Sequence, residues 1–149
     1  MMAGQDERLS ENAADIVDTW VERSIRVQAS DMHFEPDEEG LGIKMRIDGI
    51  LHTVKHVDHQ LAKQIIARVM VMAGLHTHKM KTPQEGRADF TSGKTGDKTV
   101  NMRVSTFPTV WGTRAVVRFF TGVQKVMQLH ELGYNEQVLQ CLQQFACQS

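Results

Sequence analysis

Two arginines stand out by position among the residues able to do chemistry. Residues 87–91 and 100–105 alternate polar and apolar side chains on either side of SGKTGD, as the two strands of a hairpin do. Pairing Phe90 with Val100 brings Ala88 opposite Met102 and puts all four apolar side chains on one face, which burial requires. The same register sets Arg87 directly across from Arg103. Facing like charges weaken a sheet by up to about 1 kcal/mol, so an anion or an acidic partner is expected between them. Two guanidiniums about 5 Å apart make a phosphate clamp, each offering a planar fork of donors that matches phosphate oxygens. Asp89 is the competing neutraliser: it shares a face with Arg87, Asn101 and Arg103, and a diagonal contact would leave the pair as an ordinary solvated cluster.

The tip of this hairpin spells Gly93-Lys94-Thr95, the tail of a phosphate-gripping loop. The full loop requires a glycine five residues before its second glycine and a helix whose first amides continue the cradle. Ala88 stands at that earlier position, and the residues after Thr95 alternate as a strand does. Gly93-Lys94-Thr95 is therefore expected to be a polar hairpin tip.

Other reactive groups form no complete centre. Asp31-x-His33-x-Glu35 projects three ligand types from one side of a strand, but Asp31 and Glu35 would stand about 13 Å apart, beyond the reach of one ion. A structural, hydrogen-bonded His33 is expected; a small hydrolase using His33 with Asp31 or Glu35 finds no cleft in the sequence. His56-x-x-His59 and His76-x-His78 each offer two ligands with no third at a recognisable spacing. Ser105 and Thr106 have no base that sequence locates. Cys141 and Cys147, six residues apart in a helical stretch, are expected to be free thiols.

The elements that must position the arginines follow from periodicity. Ala13, Ile16, Val17, Trp20 and Val21 recur at three-and-four spacing, predicting a helix over about 13–27 capped by Ser10 or Asn12. Met32 and Phe34 alternate with Asp31, His33 and Glu35, and Ile43, Met45 and Ile47 with Lys44, Arg46 and Asp48; Asp48-Gly49 marks a tight turn between strands. Leu61, Ile65, Val69 and Met72 predict a second helix over about 60–73 ended by Gly74. KMKTPQEGR reads as a loop, followed by strands around 87–91, 100–105 and 114–120, and a last helix in NEQVLQCLQQFA. The chain is thus α+β: an antiparallel sheet of about six strands with flanking helices. The nine methionines fall mostly at apolar periodic positions and are expected to fill core.

The 149 residues suit a single domain, and 17 basic against 18 acidic residues give no global field for nucleic acid, so no direct nucleic-acid partner is expected. The longest apolar runs are too short for a transmembrane segment, and the polar N-terminus is unlike a signal peptide, which predicts a cytoplasmic chain.

Six ordered phrases carry a family likeness: ASDMHFEP (29–36), RIDGIL (46–51), RVMVMAGL (68–75), TPQEGR (82–87), NMRVSTFPTVWG (101–112) and LHELGY (129–134). Together they resemble the N-terminal domain preceding the motor in the ATPases of type II secretion and type IV pilus assembly, the GspE/PilB family. The resemblance implies a PAS-like domain over 13–134, a flexible tail over 1–12, and a helix over 135–149 leading to an absent RecA-like motor domain. It implies a hexameric ring at the cytoplasmic face of the inner membrane, meeting a membrane platform protein. It further implies that Arg87 and Arg103 reach the phosphates of ATP held with Mg by the motor domain and neighbouring subunits.

No GxxxxGK[ST] loop lies within these 149 residues, so the chain is expected to bind no cofactor and hydrolyse nothing by itself. Thr113 stands after Gly112 where the family usually carries Glu, which leaves no salt bridge expected there. A stand-alone PAS-like interaction module is the alternative role.

Overall fold

The computed structural model describes residues 12–91, 99–120 and 128–146. Three α-helices, two short 3-10 turns and one six-stranded sheet make up these parts. The GKT tip, Ser10, the tail over 1–11 and Cys147 lie outside the described residues.

Helix α1 runs Ala13–Arg26, and the Asn12 side chain accepts from the Asp15 amide at 2.9 Å, satisfying one of the amides that a helix start leaves open. Its stripe of Ile16, Val17 and Val21 is buried. Strands β1 (Asp31–Pro36), β2 (Leu41–Ile47) and β3 (Ile50–Val57) form a meander. Asp48 and Gly49, both at positive φ (49° and 81°), turn β2 into β3 with the backbone twist that two-residue hairpins favour. Helix α2 (His59–Met72) starts on Asp58, whose carboxylate accepts from the Leu61 amide, and Gly74 at φ 66° takes the chain out of it. Strands β4 (Gln84–Thr91), β5 (Thr99–Thr109) and β6 (Gly112–Phe120) complete the sheet, and α3 spans Glu136–Ala146.

The sheet is antiparallel in the order β3-β2-β1-β6-β5-β4. The first strand lies inside it, with β2 on one side and the last strand, β6, on the other. Met32, Phe34, Ile43, Met45, Met102, Val104, Val117 and Phe119 share one face and form a single core with Val17, Val21, Ile65, Val69 and Met70 of α1 and α2. Four of these are methionines in near-complete burial, as filling of irregular gaps requires.

Two strands exceed their predicted bounds. Strand β4 begins at Gln84, inside the stretch read as a loop, because Gln84 and Glu85 pair with Thr106 and Ser105. The Gln84 side chain also accepts from the His76 amide and donates to the carbonyls of His76 and Lys79, fixing the approach to the sheet. Strand β5 continues through Pro108 to Thr109. A proline is tolerated there because β4 pairing stops at Thr106, so the missing amide falls at an edge.

Candidate functional site

Helices α1 and α2 cover one face of the sheet, and the opposite face carries the charged side chains. In one register Arg46 faces Asp31, Asp31 faces Arg118, Arg118 faces Arg103, and Arg103 faces Arg87. Directly opposed residues share a face, so five adjacent strands present four guanidiniums and one carboxylate in a single row. The expected pairing of Phe90 with Val100 and Ala88 with Met102 is present, and with it Arg87 opposite Arg103.

The carboxylate beside the pair is Glu85 rather than Asp89, the candidate that alternation offered. Asp89 forms no ion pair among the described residues; instead the Glu85 carboxylate takes the Arg103 guanidinium at 2.5 Å. Asp89 is opposite Asn101, whereas Glu85 is opposite Ser105, one step along the shared face from Arg103. The Glu85 and Arg103 side chains are each 52% exposed, so the pair is worth a few tenths of a kcal/mol, up to about 1. Arg87 is exposed and makes no ion pair or side-chain hydrogen bond among the described residues.

Gly86 determines where Arg87 sits. A Cβ on this residue would lie 2.3 Å from the Ala73 carbonyl oxygen and 2.8 Å from Leu75 Cδ2. Only a glycine lets β4 pass this close to the end of α2.

Asp31, His33 and Glu35 are brought together with cations rather than with a metal. Asp31 is buried, accepts from Arg118 Nε at 2.8 Å and from Ser30 Oγ at 2.8 Å, and lies 3.6 Å from Arg46 Nε. Burial pushes its carboxyl up, but the Arg118 and Ser30 hydrogen bonds and the Arg118 charge outweigh this and hold it below the ordinary value. Glu35 bridges Lys44 at 2.5 Å and Arg114 at 2.8 Å; the Lys44 bond above all keeps its carboxyl low against the opposing effect of burial. His33 Nδ1 accepts from Arg114 at 3.4 Å, which assigns the proton to Nε2, and that atom is buried without a partner among the described residues. Burial first, then the Arg114 charge, lowers the His33 pKa, so the ring is neutral. The hydrogen-bonded, structural His33 expected from spacing is what the fold contains.

Among the described residues no group of three or more His, Cys, Asp or Glu is placed to hold a metal ion. His56 is held by Asp37 at 3.0 Å, His59 by the Glu38 carbonyl, and the His76 and His78 rings lie tilted at 53° with centroids 5.4 Å apart. Arg87 and Arg103 offer guanidinium donors of the kind that match phosphate oxygens, and among the described residues no cluster offers a ligand set for Mg. Cys141 is a free, exposed thiol. Thr113 donates to the Met80 carbonyl at 3.3 Å. A groove of about 540 Å³ lined by Leu41, Ile66, Met80 and Trp111 lies at the β5–β6 turn and contains neither Arg87 nor Arg103. No helix among the described residues is long and apolar enough to cross a membrane.

The profile of the family described as Type II/IV secretion system protein matches residues 6–149. The type IV pilus assembly ATPase PilB of Pseudomonas aeruginosa is 41% identical over 113 residues, covering 76% of this chain and 20% of that protein. The type II secretion system ATPase E of Vibrio cholerae is 34% identical over 134 residues, covering 87% of this chain and 26% of that protein. The chain thus spans about a fifth to a quarter of the length of these relatives. Among solved structures, the Legionella pneumophila ATPase DotB superposes with a TM-score of 0.61 at 14% identity, over 93% of this chain and 37% of that one. The pilus retraction motor PilT with bound ADP gives 0.53 at 18% identity, over 86% of this chain and 34% of that one. At these identities the two superpositions speak for the fold.

Proposed function

The chain belongs to the Type II/IV secretion system protein family, and from that premise we propose that it is the nucleotide-site-closing N-terminal domain of a secretion or pilus-assembly ATPase. The observation that carries the reading is the Arg87–Arg103 pair, two guanidiniums in direct register on the sheet face away from α1 and α2, with one half-exposed carboxylate, Glu85, bound to Arg103. In the full ATPase a RecA-like motor domain holds ATP and Mg, and Arg87 and Arg103 close onto the phosphates. Fixed cations at a phosphoryl group stabilise the charge that develops in transfer, as arginine fingers do. Opening and closing of the domain with nucleotide state would convert hydrolysis into movement.

The sheet order supports a PAS-like description, since the first strand lies inside the sheet and pairs with the last. Helix α3 supports a neighbouring motor domain: none of its residues is buried, and Val138, Leu142 and Phe145 leave an apolar stripe 40%, 39% and 76% exposed. Such a stripe is stable when another element covers it. The remaining proposed partners are the other subunits of a hexamer and an inner-membrane platform protein, with the domain cytoplasmic and peripheral to that membrane.

The test uses the long ATPase that carries this domain. Arg87→Ala or Arg103→Ala should lower turnover by at least about tenfold while changing nucleotide affinity by less than about threefold, because contacts made chiefly in the transition state act on kcat. Unchanged turnover in both variants removes the clamp.

A further inference from the structure

We propose that Arg118 is a third phosphate-contacting residue beside Arg103 and Arg87, and that Asp31 is the positioning residue that aims it. The proposal rests on the reading above and specifies its ligand as a chain of phosphates rather than one isolated group.

Register gives the first argument. Arg118 is the Cα partner of Arg103, which is the Cα partner of Arg87, so two like-charged pairs stand side by side in one row. Each facing pair of like charges is unfavourable, and placing two in succession concentrates positive charge on one end of the sheet face. This occurs in a chain whose net charge is −1. The carboxylates on this face are fewer than its cations: Glu35 is shared by Lys44 and Arg114, Asp31 is shared by Arg118 and Arg46, and Glu85 takes Arg103 alone, which leaves Arg87 without one among the described residues. Three adjacent strands span about 10 Å, close enough for three arginine side chains to converge on one extended polyphosphate.

The state of Arg118 gives the second argument. Its Nε donates to Asp31 at 2.8 Å, yet its side chain remains 65% exposed while that of Asp31 is 7% exposed. This bond engages one of the five N–H donors of a guanidinium. A buried carboxylate thus grips the inner edge of an outward-reaching cation. Fixing a side chain beforehand reduces the ordering cost of binding, which distinguishes the anchored Arg118 from Arg87, also exposed but without a side-chain partner among the described residues. The competing account is a purely structural ion pair, in which Arg118 stabilises the fold and touches no ligand.

The experiment is a titration of this 149-residue chain, labelled with ¹⁵N-arginine, with inorganic tripolyphosphate into the millimolar range at low salt. The Nε–Hε signals of Arg87, Arg103 and Arg118 should move with one shared dissociation constant. Arg118→Gln should weaken binding roughly two- to fivefold, and Arg118→Lys should recover part of the loss as a point charge without the fork. Asp31→Asn should shift the Arg118 signal before any ligand is added and weaken binding by part of the Arg118→Gln effect.

A fixed Arg118 signal while Arg87 and Arg103 move, with Arg118→Gln binding as tightly as the parent, overturns the third contact and leaves the pair standing. Movement of Arg118 alone overturns the pair and the row. If no signal moves, both readings fall. Should Arg118→Gln not fold, the signals of the unsubstituted chain still decide.

Discussion

Glu85 Oε2 lies 2.5 Å from the Arg103 guanidinium, two residues before Arg87 on the same strand. An internal carboxylate thus occupies one arm of the proposed clamp. Any incoming anion must compete with it for Arg103, so the affinity of the face is set partly by Glu85.

Glu85→Gln should therefore tighten binding of inorganic tripolyphosphate to this chain by roughly two- to fivefold, the range expected of an exposed ion pair. The gain should shrink as salt is raised, because screening weakens Glu85 and the ligand alike. Titration of both proteins at two ionic strengths measures this, and equal affinities at low salt would show that Glu85 does not compete.

Gly86→Ala should destabilise the fold by about 1–3 kcal/mol, because the new methyl group meets the Ala73 carbonyl at 2.3 Å. Urea unfolding gives the value. Adding Leu75→Ala should not restore stability, since the closest clash is with backbone; full recovery in the double variant would place the conflict at the leucine side chain instead.

Stability should fall on acidification in two stages. The folded pKa of His33 is lowered, so the unfolded chain takes up a proton first, at its ordinary value near 6.5, and stability declines as pH drops below about 6.5. Asp31 and Glu35 have depressed folded pKa values; their contribution is present above the ordinary carboxylate range near 4 and is lost as pH falls through and below it. Urea midpoints at pH 7.5, 5.5 and about 3 trace both stages. His33→Gln should abolish the decline between the first two while keeping the second, and an unchanged upper stage in that variant would assign it to another group.

Arg118→Ala should cost about 1–3 kcal/mol, as removal of a charged hydrogen-bond donor from a buried carboxylate does. Arg46, at 3.6 Å, and Ser30 limit the loss. A cost below the error of urea unfolding would mean that those two partners satisfy Asp31 unaided.

Local periodicity made most of the fold and half of the site legible. The cap at Asn12, one of two candidates, needs only a short polar side chain before an apolar stripe, and the Asp48-Gly49 turn needs only residues tolerant of positive φ. The Arg87–Arg103 pairing also follows from a hairpin, in which apolar residues must share a face. Glu85 was within reach of the same alternation, but reading TPQEGR as a loop hid it. That stretch joins β4 because of the partners offered by Thr106 and Ser105 and the tether of Gln84 to His76 and Lys79.

What the sequence determined by itself is therefore the set of elements, the polarity of each strand face and the opposition of two arginines within one hairpin. All are consequences of contacts near in the chain. The tertiary structure alone decided that β1 inserts against β6, which places Asp31 beneath Arg118 and His33 beside Arg114. Those residues lie 87 and 81 positions apart, and no local period encodes such a pairing: it arises when both strands bury Met32, Phe34, Ala115 and Val117 in the same core. The row of guanidiniums exists because the opposite face of the sheet is oily.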